Sequence, residues 1–184
     1  AMAAGRNGLL HAPTGTGKTL AAWFGAVCRS SALSTHHKKT GIRIIWITPL
    51  RALATDTARA LEEPLADLTE MLGSHWQVGT RTGDTSAADR RRLRQNWPEA
   101  LITTPESLSI LLSLEDSQEI FSDLDTVIVD EWHELLGTKR GVQTELALSR
   151  LRAIRPGVIT WGLSATLANL DEAVATLVGP MQCD

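Results

Sequence analysis

A chain of 184 residues with 43% hydrophobic side chains can bury a real core and corresponds to one domain. Its net charge of −3 excludes a simple polycation that grips nucleic acid by bulk charge alone, though not local contacts. No apolar run reaches membrane-spanning length, residues 1–7 lack a signal-peptide layout, and Cys28 and Cys183 suit neither a disulfide framework nor a zinc site, so a reducing cytoplasm fits best.

Short apolar runs alternate with helical patterns, which predicts an α/β fold with a parallel central sheet and helices on both faces. The first strand is expected at Gly8–His11 and a helix at about Lys18–Arg29. Ser30–Gly41 reads as a polar connection that includes His36, His37, Lys38 and Lys39. Ile42–Ile47 is a continuous apolar run, as a buried parallel strand should be. A helix follows over about Leu50–Leu61, then a strand near Trp76–Thr80 and a basic helix at Ala87–Gln95. Ala100–Thr103 is a strand, Ser107–Leu112 a helix, and Thr126–Val129 a buried strand. Val142, Leu146, Leu151 and Ile154 predict one buried stripe on a helix over Val142–Ile154. Val158–Leu163 is the last strand. Asn169 with Glu172 resembles a capping box for a final helix that Gly179-Pro180 would stop. Both ends read as cut, so the expectation is a single domain, 1–184, taken from a longer chain.

Two segments carry chemistry. Ala12–Thr19 reads Ala-Pro-Thr-Gly-Thr-Gly-Lys-Thr between a strand and a helix. Thr14, Gly15, Thr16 and Gly17 form a loop whose amides can face phosphates, with Ala12 standing where the usual pattern has glycine. Lys18 can reach the β- and γ-phosphates, and the Thr19 hydroxyl can ligate magnesium. Asp130 and Glu131 then end a buried strand, at the edge where open α/β sheets bind ligands. Asp130 suits Mg2+, and Glu131 can orient water and accept its proton. His133 sits beside this site, which favours a coupling role over packing. Trp132 reads as packing, and the other tryptophans as core or surface anchors. Together these residues predict an ATP site.

A second pattern repeats along the chain. Thr48-Pro49 and Thr104-Pro105 each follow an apolar strand, and each reads as a Thr cap with Pro opening a helix. Their helix N-termini would face the edge of the phosphate loop and could hold successive phosphates of a nucleic-acid strand, or serve capping alone. Arg51 and the turn of Thr82, Gly83, Asp84 and Thr85 could join them. Arg90, Arg91, Arg92 and Arg94, like Lys139 and Arg140, read either as solvated faces or as contacts. Ser164, Ala165 and Thr166 close the last strand, where they could link nucleotide state to grip.

In this order the segments resemble motifs I, Ia, Ib, II (DExH form) and III of superfamily-two helicases. Arg81–Thr85, Thr103–Leu108 and Asp130–Gly141 are similar to large-helicase-related (Lhr) proteins, and Trp132 with Glu134–Gly137 resembles the bacterial ligase-associated DExH-box branch. The resemblance implies the first RecA-like domain of an ATP-dependent motor that moves 3′ to 5′ on single-stranded DNA. That motor unwinds DNA or RNA:DNA duplexes in bacterial DNA repair, in the cytoplasm. It implies a second RecA-like domain and C-terminal domains as partners in the same chain, with DNA-repair ligase or nuclease partners beyond it. An isolated first domain would then be nearly inactive. The other class of reading is a nucleic-acid-binding module whose nucleotide site is structural or regulatory. The intact set of Lys18, Thr19, Asp130 and Glu131 argues against it.

Overall fold

The computed structural model describes residues 1–33, 41–65, 76–166 and 169–179. Six strands form one sheet: β1 (Gly8–His11), β2 (Ile44–Ile47), β3 (Val78–Arg81), β4 (Ala100–Thr103), β5 (Thr126–Val129) and β6 (Ile159–Ser164). Their spatial order is β1-β6-β5-β2-β4-β3, and every pairing is parallel. The register sets Ser164 beside His11, Gly162 beside Val129, Ile47 beside both Val129 and Thr103, and Arg81 beside Thr103. All six strands therefore end on one edge.

Helices α1 (Lys18–Leu33), α2 (Arg51–Glu62), α3 (Ala87–Gln95), α4 (Pro105–Leu112), α5 (Ser117–Ile120), α6 (Trp132–Leu135), α7 (Lys139–Ile154) and α8 (Leu170–Val178) connect and cover them. Strand alternation divides the apolar side chains into two cores. Ile44, Trp46, Ile102 and Ile128 pack with Trp23, Ala26 and Val27 of α1 and Ala54, Ala58 and Leu61 of α2. Ile45, Ile47, Leu101, Val127 and Val129 pack on the other face with residues of α4, α7 and α8. The sheet is thus covered on both sides, as the unbroken apolar runs require. No described helix is long and apolar enough to cross a membrane.

Several predicted features shift. Helix α1 runs on to Leu33, and β2 begins at Ile44 because Arg43 and the residues before it precede the ladder. The expected stripe on α7 is wrong for its first half. Val142 is 55% and Leu146 67% exposed, while Gly141, Thr144, Ala147, Leu148 and Leu151 face inward. Small residues let this face approach its neighbours closely: a Cβ on Gly141 would lie 2.9 Å from the Leu135 carbonyl carbon. The Thr-Pro pair before α2 does not open that helix. Thr48 N–H still pairs with Thr103 O at 2.9 Å, so the chain leaves the sheet late and Leu50, without a side-chain cap, starts the helix. The Asn169 cap is present, with its side chain accepting from Glu172 N, and Gly179 ends α8 at φ +75°. The basic connection around His36 and the terminus with Pro180 and Cys183 lie outside the described residues.

Candidate nucleotide site and nucleic-acid edge

The phosphate loop leaves β1, the outermost strand at one side of the sheet. Ala12 N donates to Ser164 O at 3.2 Å, which extends the β1–β6 ladder by one bond. Gly15 and Gly17 both take φ +80°, and an added Cβ at either would meet nothing, so their glycine is required by backbone conformation. Thr16 Oγ1 donates to Pro13 O at 2.7 Å and tightens the loop. Lys18 Nζ donates to Ala12 O and to Pro13 O. Thr14 is exposed in the loop, and Thr19 sits in the first turn of α1, the position from which helix amides and a hydroxyl meet a phosphate-bound cation.

Asp130 leaves β5 with its amide bound to Ile47 O at 2.8 Å. Its carboxylate is held at both oxygens: Glu131 N donates to Oδ1 at 3.0 Å, and Trp46 Nε1 donates to Oδ2 at 3.2 Å. Burial, then the Glu131 charge, pushes the Asp130 carboxyl up to about 6, while the Lys18 charge acts in the opposite sense. Asp130, Glu131 and the Thr19 hydroxyl are hard oxygen donors of the kind that Mg2+ takes. No group of three or more His, Cys, Asp or Glu that could hold a metal occurs among the described residues.

Glu131 is the one non-glycine with positive φ among the described residues, at φ 45° and ψ 47°. Such a conformation costs about 1–3 kcal/mol and is kept where surrounding structure enforces it. Here it turns the carboxylate toward His133, with Oε2 3.4 Å from Nδ1. The same Nδ1 lies 3.0 Å from Ser164 Oγ, which also contacts Thr166 O at 3.2 Å. His133 thus joins the acidic turn to Ser164-Ala165-Thr166, and Ser164 joins both to the loop through Ala12. Trp132 packs as expected: it is fully buried and donates Nε1 to Ala173 O at 2.9 Å.

The other predicted residues gather on the β2-β4-β3 half of the edge. Thr104 caps α4 by accepting from Ser107 N, and Pro105 occupies the first turn. Thr48 and Pro49 are buried at the end of β2, so the two Thr-Pro pairs occupy the same edge with different local roles. Thr82 N donates to Thr85 Oγ1 at 2.9 Å and Asp84 N to Thr82 Oγ1 at 3.3 Å, which closes the Thr82–Thr85 turn. Arg51 lies 3.2 Å from Asp84 and close over Gly83, where a Cβ would meet its guanidinium at 3.1 Å. The Lys139-Arg140 pair divides: Arg140 forks onto Glu106 at 2.5 and 3.1 Å and ties α7 to α4.

Trp46 is the functional residue that pattern reading missed. It pairs in register with Ile128, two residues before Asp130, so both side chains leave the sheet on one face. An indole N–H inside an isoleucine run needs a partner, and that need was the available signal.

A DEAD/DEAH box helicase family model matches residues 1–173. The chain is 41% identical over 184 aligned residues to the Lhr helicase/uracil glycosylase of Escherichia coli K12, covering 93% of this chain and 12% of that protein. It is 39% identical over 181 residues to the ATP-dependent helicase Lhr-Core of Methanothermobacter thermautotrophicus, covering 95% of this chain and 21% of that protein. The solved structure of Mycobacterium smegmatis helicase Lhr bound to ssDNA and AMP-PNP superimposes with a TM-score of 0.85 at 39% identity, over 97% of this chain and 23% of that one. The chain therefore spans less than a quarter of the length of each of these relatives.

Proposed function

Because the chain belongs to the DEAD/DEAH box helicase family, we propose that it is the first RecA-like motor domain of an Lhr-type, ATP-dependent DNA helicase. The observation that carries this reading is the chain of contacts from Glu131 through His133 Nδ1 to Ser164, whose carbonyl accepts from Ala12 N, since it joins the acidic turn to the phosphate loop. The relative bound to ssDNA and AMP-PNP supports both ligands.

The proposed roles are as follows. Loop amides at Gly15–Lys18 and the Lys18 ammonium take the β- and γ-phosphates, exchanging the Ala12 and Pro13 carbonyls for phosphate oxygens. Thr19 and Asp130 would hold Mg2+, which when bound supplies neutralisation of the phosphate charge. Trp46 and the Glu131 amide orient the Asp130 oxygens. Glu131 directs an attacking water and accepts its proton. His133 senses Glu131 and passes its position to Ser164. Single-stranded DNA runs along the edge marked by Thr48, Pro49, Arg51, Thr82, Gly83, Thr85, Thr104 and Pro105, of which Arg51, Gly83 and Thr85 are the accessible members and Thr48, Pro49, Thr82, Thr104 and Pro105 are buried beneath it.

A second RecA-like domain supplies the arginine that stabilises transition-state charge, a contribution of about 10³–10⁵ in rate. The isolated domain is accordingly a poor ATPase. Movement 3′ to 5′, action on DNA and RNA:DNA duplexes in DNA repair, membership of the ligase-associated branch and a bacterial cytoplasmic setting with ligase or nuclease partners complete the proposal by resemblance.

Single-turnover ATP hydrolysis, with and without single-stranded DNA, tests it. The expectation is slow hydrolysis by this chain and DNA-stimulated hydrolysis by the full-length protein, lost in Lys18→Ala and Glu131→Gln. A full rate from this chain alone would refute the division of the site. Unwinding retained in either full-length variant would refute the assigned roles.

A further inference from the structure

The left-handed backbone at Glu131 needs support from its surroundings, and a hydrogen-bonded run supplies it beyond the acidic turn. Glu134 N donates to Glu131 O at 2.9 Å, and Leu136 N donates to Trp132 O at 3.1 Å. Leu135 O accepts twice from Thr138, from its amide at 3.1 Å and from Oγ1 at 2.7 Å. Thr138 Oγ1 accepts in turn from Gly141 N at 3.1 Å, which caps α7. The acidic turn, α6 and the first turn of α7 are therefore one continuous piece.

Arg140 fastens the far end of that piece. Its Nε and Nη2 donate to the two Glu106 oxygens at 2.5 and 3.1 Å, a fork that fixes direction as well as distance. Glu106 stands in the first turn of α4, which opens two residues past the end of β4. With Thr104 and Pro105 buried, Glu106 is the group that the start of α4 presents at the surface. Burial would raise its carboxyl, but the Arg140 fork, its own amide and the Thr104 hydroxyl together hold it below its ordinary range. Behind the fork the two helices share a core that includes Leu108, Leu111, Ala147 and Leu148, and close packing passes a displacement of one helix to the other. The Arg140 and Glu106 side chains are 34% and 45% exposed, and a pair so placed adds little to stability. Orientation is what it supplies.

We propose that Arg140 is a positioning residue for Glu131: through its fork on Glu106, it makes the placing of the Glu131 carboxylate depend on a DNA strand at the start of α4. This role rests on the reading of the edge as a nucleic-acid track beside an ATP site. It is separate from the Trp46 and Ile47 contacts, which act on Asp130.

The test is oligo-dT-stimulated ATP hydrolysis by the full-length protein. Glu106→Gln/Arg140→Gln removes the fork, keeps the net charge and leaves no carboxylate without its partner. Turnover at saturating oligo-dT should fall at least about fivefold, while the half-saturating oligo-dT concentration stays within about twofold of wild type. Arg140→Gln alone should lose as much turnover as the double variant, and Arg140→Lys, which can keep one bond to Glu106, should recover part of it. Arg150→Gln removes an exposed charge from the same helix and should match wild type. Wild-type turnover in the double variant would overturn the role of Arg140 and leave the motor reading standing. So would a raised half-saturating concentration with turnover intact, since the pair would then serve grip alone. A double variant much slower than Arg140→Gln would overturn it by showing two independent effects. An equal loss in Arg150→Gln would overturn it in favour of net charge. A wild-type protein that oligo-dT does not stimulate would overturn this role and the motor reading together.

Discussion

His133 and Ser164 meet at 3.0 Å between Nδ1 and Oγ, and this contact joins the acidic turn to β6, the strand whose last carbonyl holds the start of the phosphate loop. Removing it by Ser164→Ala takes away one partner and little volume. Nucleotide affinity should remain near wild type, because Ser164 touches the loop only through its carbonyl. The DNA-stimulated turnover of the full-length protein should fall about tenfold, the equivalent of one well-placed hydrogen bond. Parallel titration of nucleotide affinity and of hydrolysis against DNA concentration checks this. Full stimulation in the variant would show that the contact carries no signal.

Trp46→Phe keeps the ring in its core and removes the N–H that fixes Asp130 Oδ2. Outer-shell donors of this kind are worth about 10–100-fold in metal affinity or activity. The expected result is at least a tenfold rise in the magnesium concentration that half-saturates nucleotide binding, with binding in EDTA unchanged. Equilibrium titration of a fluorescent nucleotide with magnesium reads both. An unaltered magnesium midpoint would make Trp46 a packing residue only.

Asp130 makes the domain less stable as pH rises, in the absence of magnesium. Its carboxyl is raised from 3.8 to about 6, so between those values the folded protein holds a proton that the unfolded chain has released. That preference favours the fold below the unfolded value, and it is lost as pH rises through about 6. Asp130→Asn should therefore stabilise the metal-free protein by about 1–3 kcal/mol at pH 7 and by almost nothing near pH 3.5. Urea melts of both proteins at the two pH values decide the matter. Equal gains at both would place the effect in packing.

Gly141→Ala tests the close approach of α6 and α7. The added methyl would lie 2.9 Å from the Leu135 carbonyl carbon, against backbone that cannot swing aside. A loss of about 3 kcal/mol or more is expected, at the upper end of overpacking costs. A thermal melt within a degree or two of wild type would show that α7 slides to absorb the methyl.

The sequence carried the proposed nucleotide half of this edge more fully than the proposed nucleic-acid half. Gly15, Gly17, Lys18, Asp130 and Glu131 were legible because each supplies a group whose chemistry has few other uses at such spacing. Strand boundaries followed from unbroken apolar runs, as at Thr126–Val129. Features set by contact between distant segments were not legible. The Trp46–Asp130 bond depends on β2 lying beside β5, which no local pattern states. Arg140 read as an open charge until α4 brought Glu106 within 2.5 Å. Val142 and Leu146 read as core because helical periodicity marks an apolar stripe without saying which neighbour covers it. The left-handed turn at Glu131 had no signature at all, since glutamate is not a residue that prefers it.

On the proposed function, the strand order β1-β6-β5-β2-β4-β3 divides the edge into a fuel side and a cargo side that meet between β5 and β2. Across that seam the edge residues communicate through the Asp130 N–H to Ile47 O bond and the Trp46 indole, both on Asp130. In the proposed motor, these two bonds on Asp130 serve as a transmission shaft between the two sides. Substitutions at Trp46 or Ile47 are therefore the places to look for variants that still burn ATP and still hold DNA, yet no longer make one depend on the other.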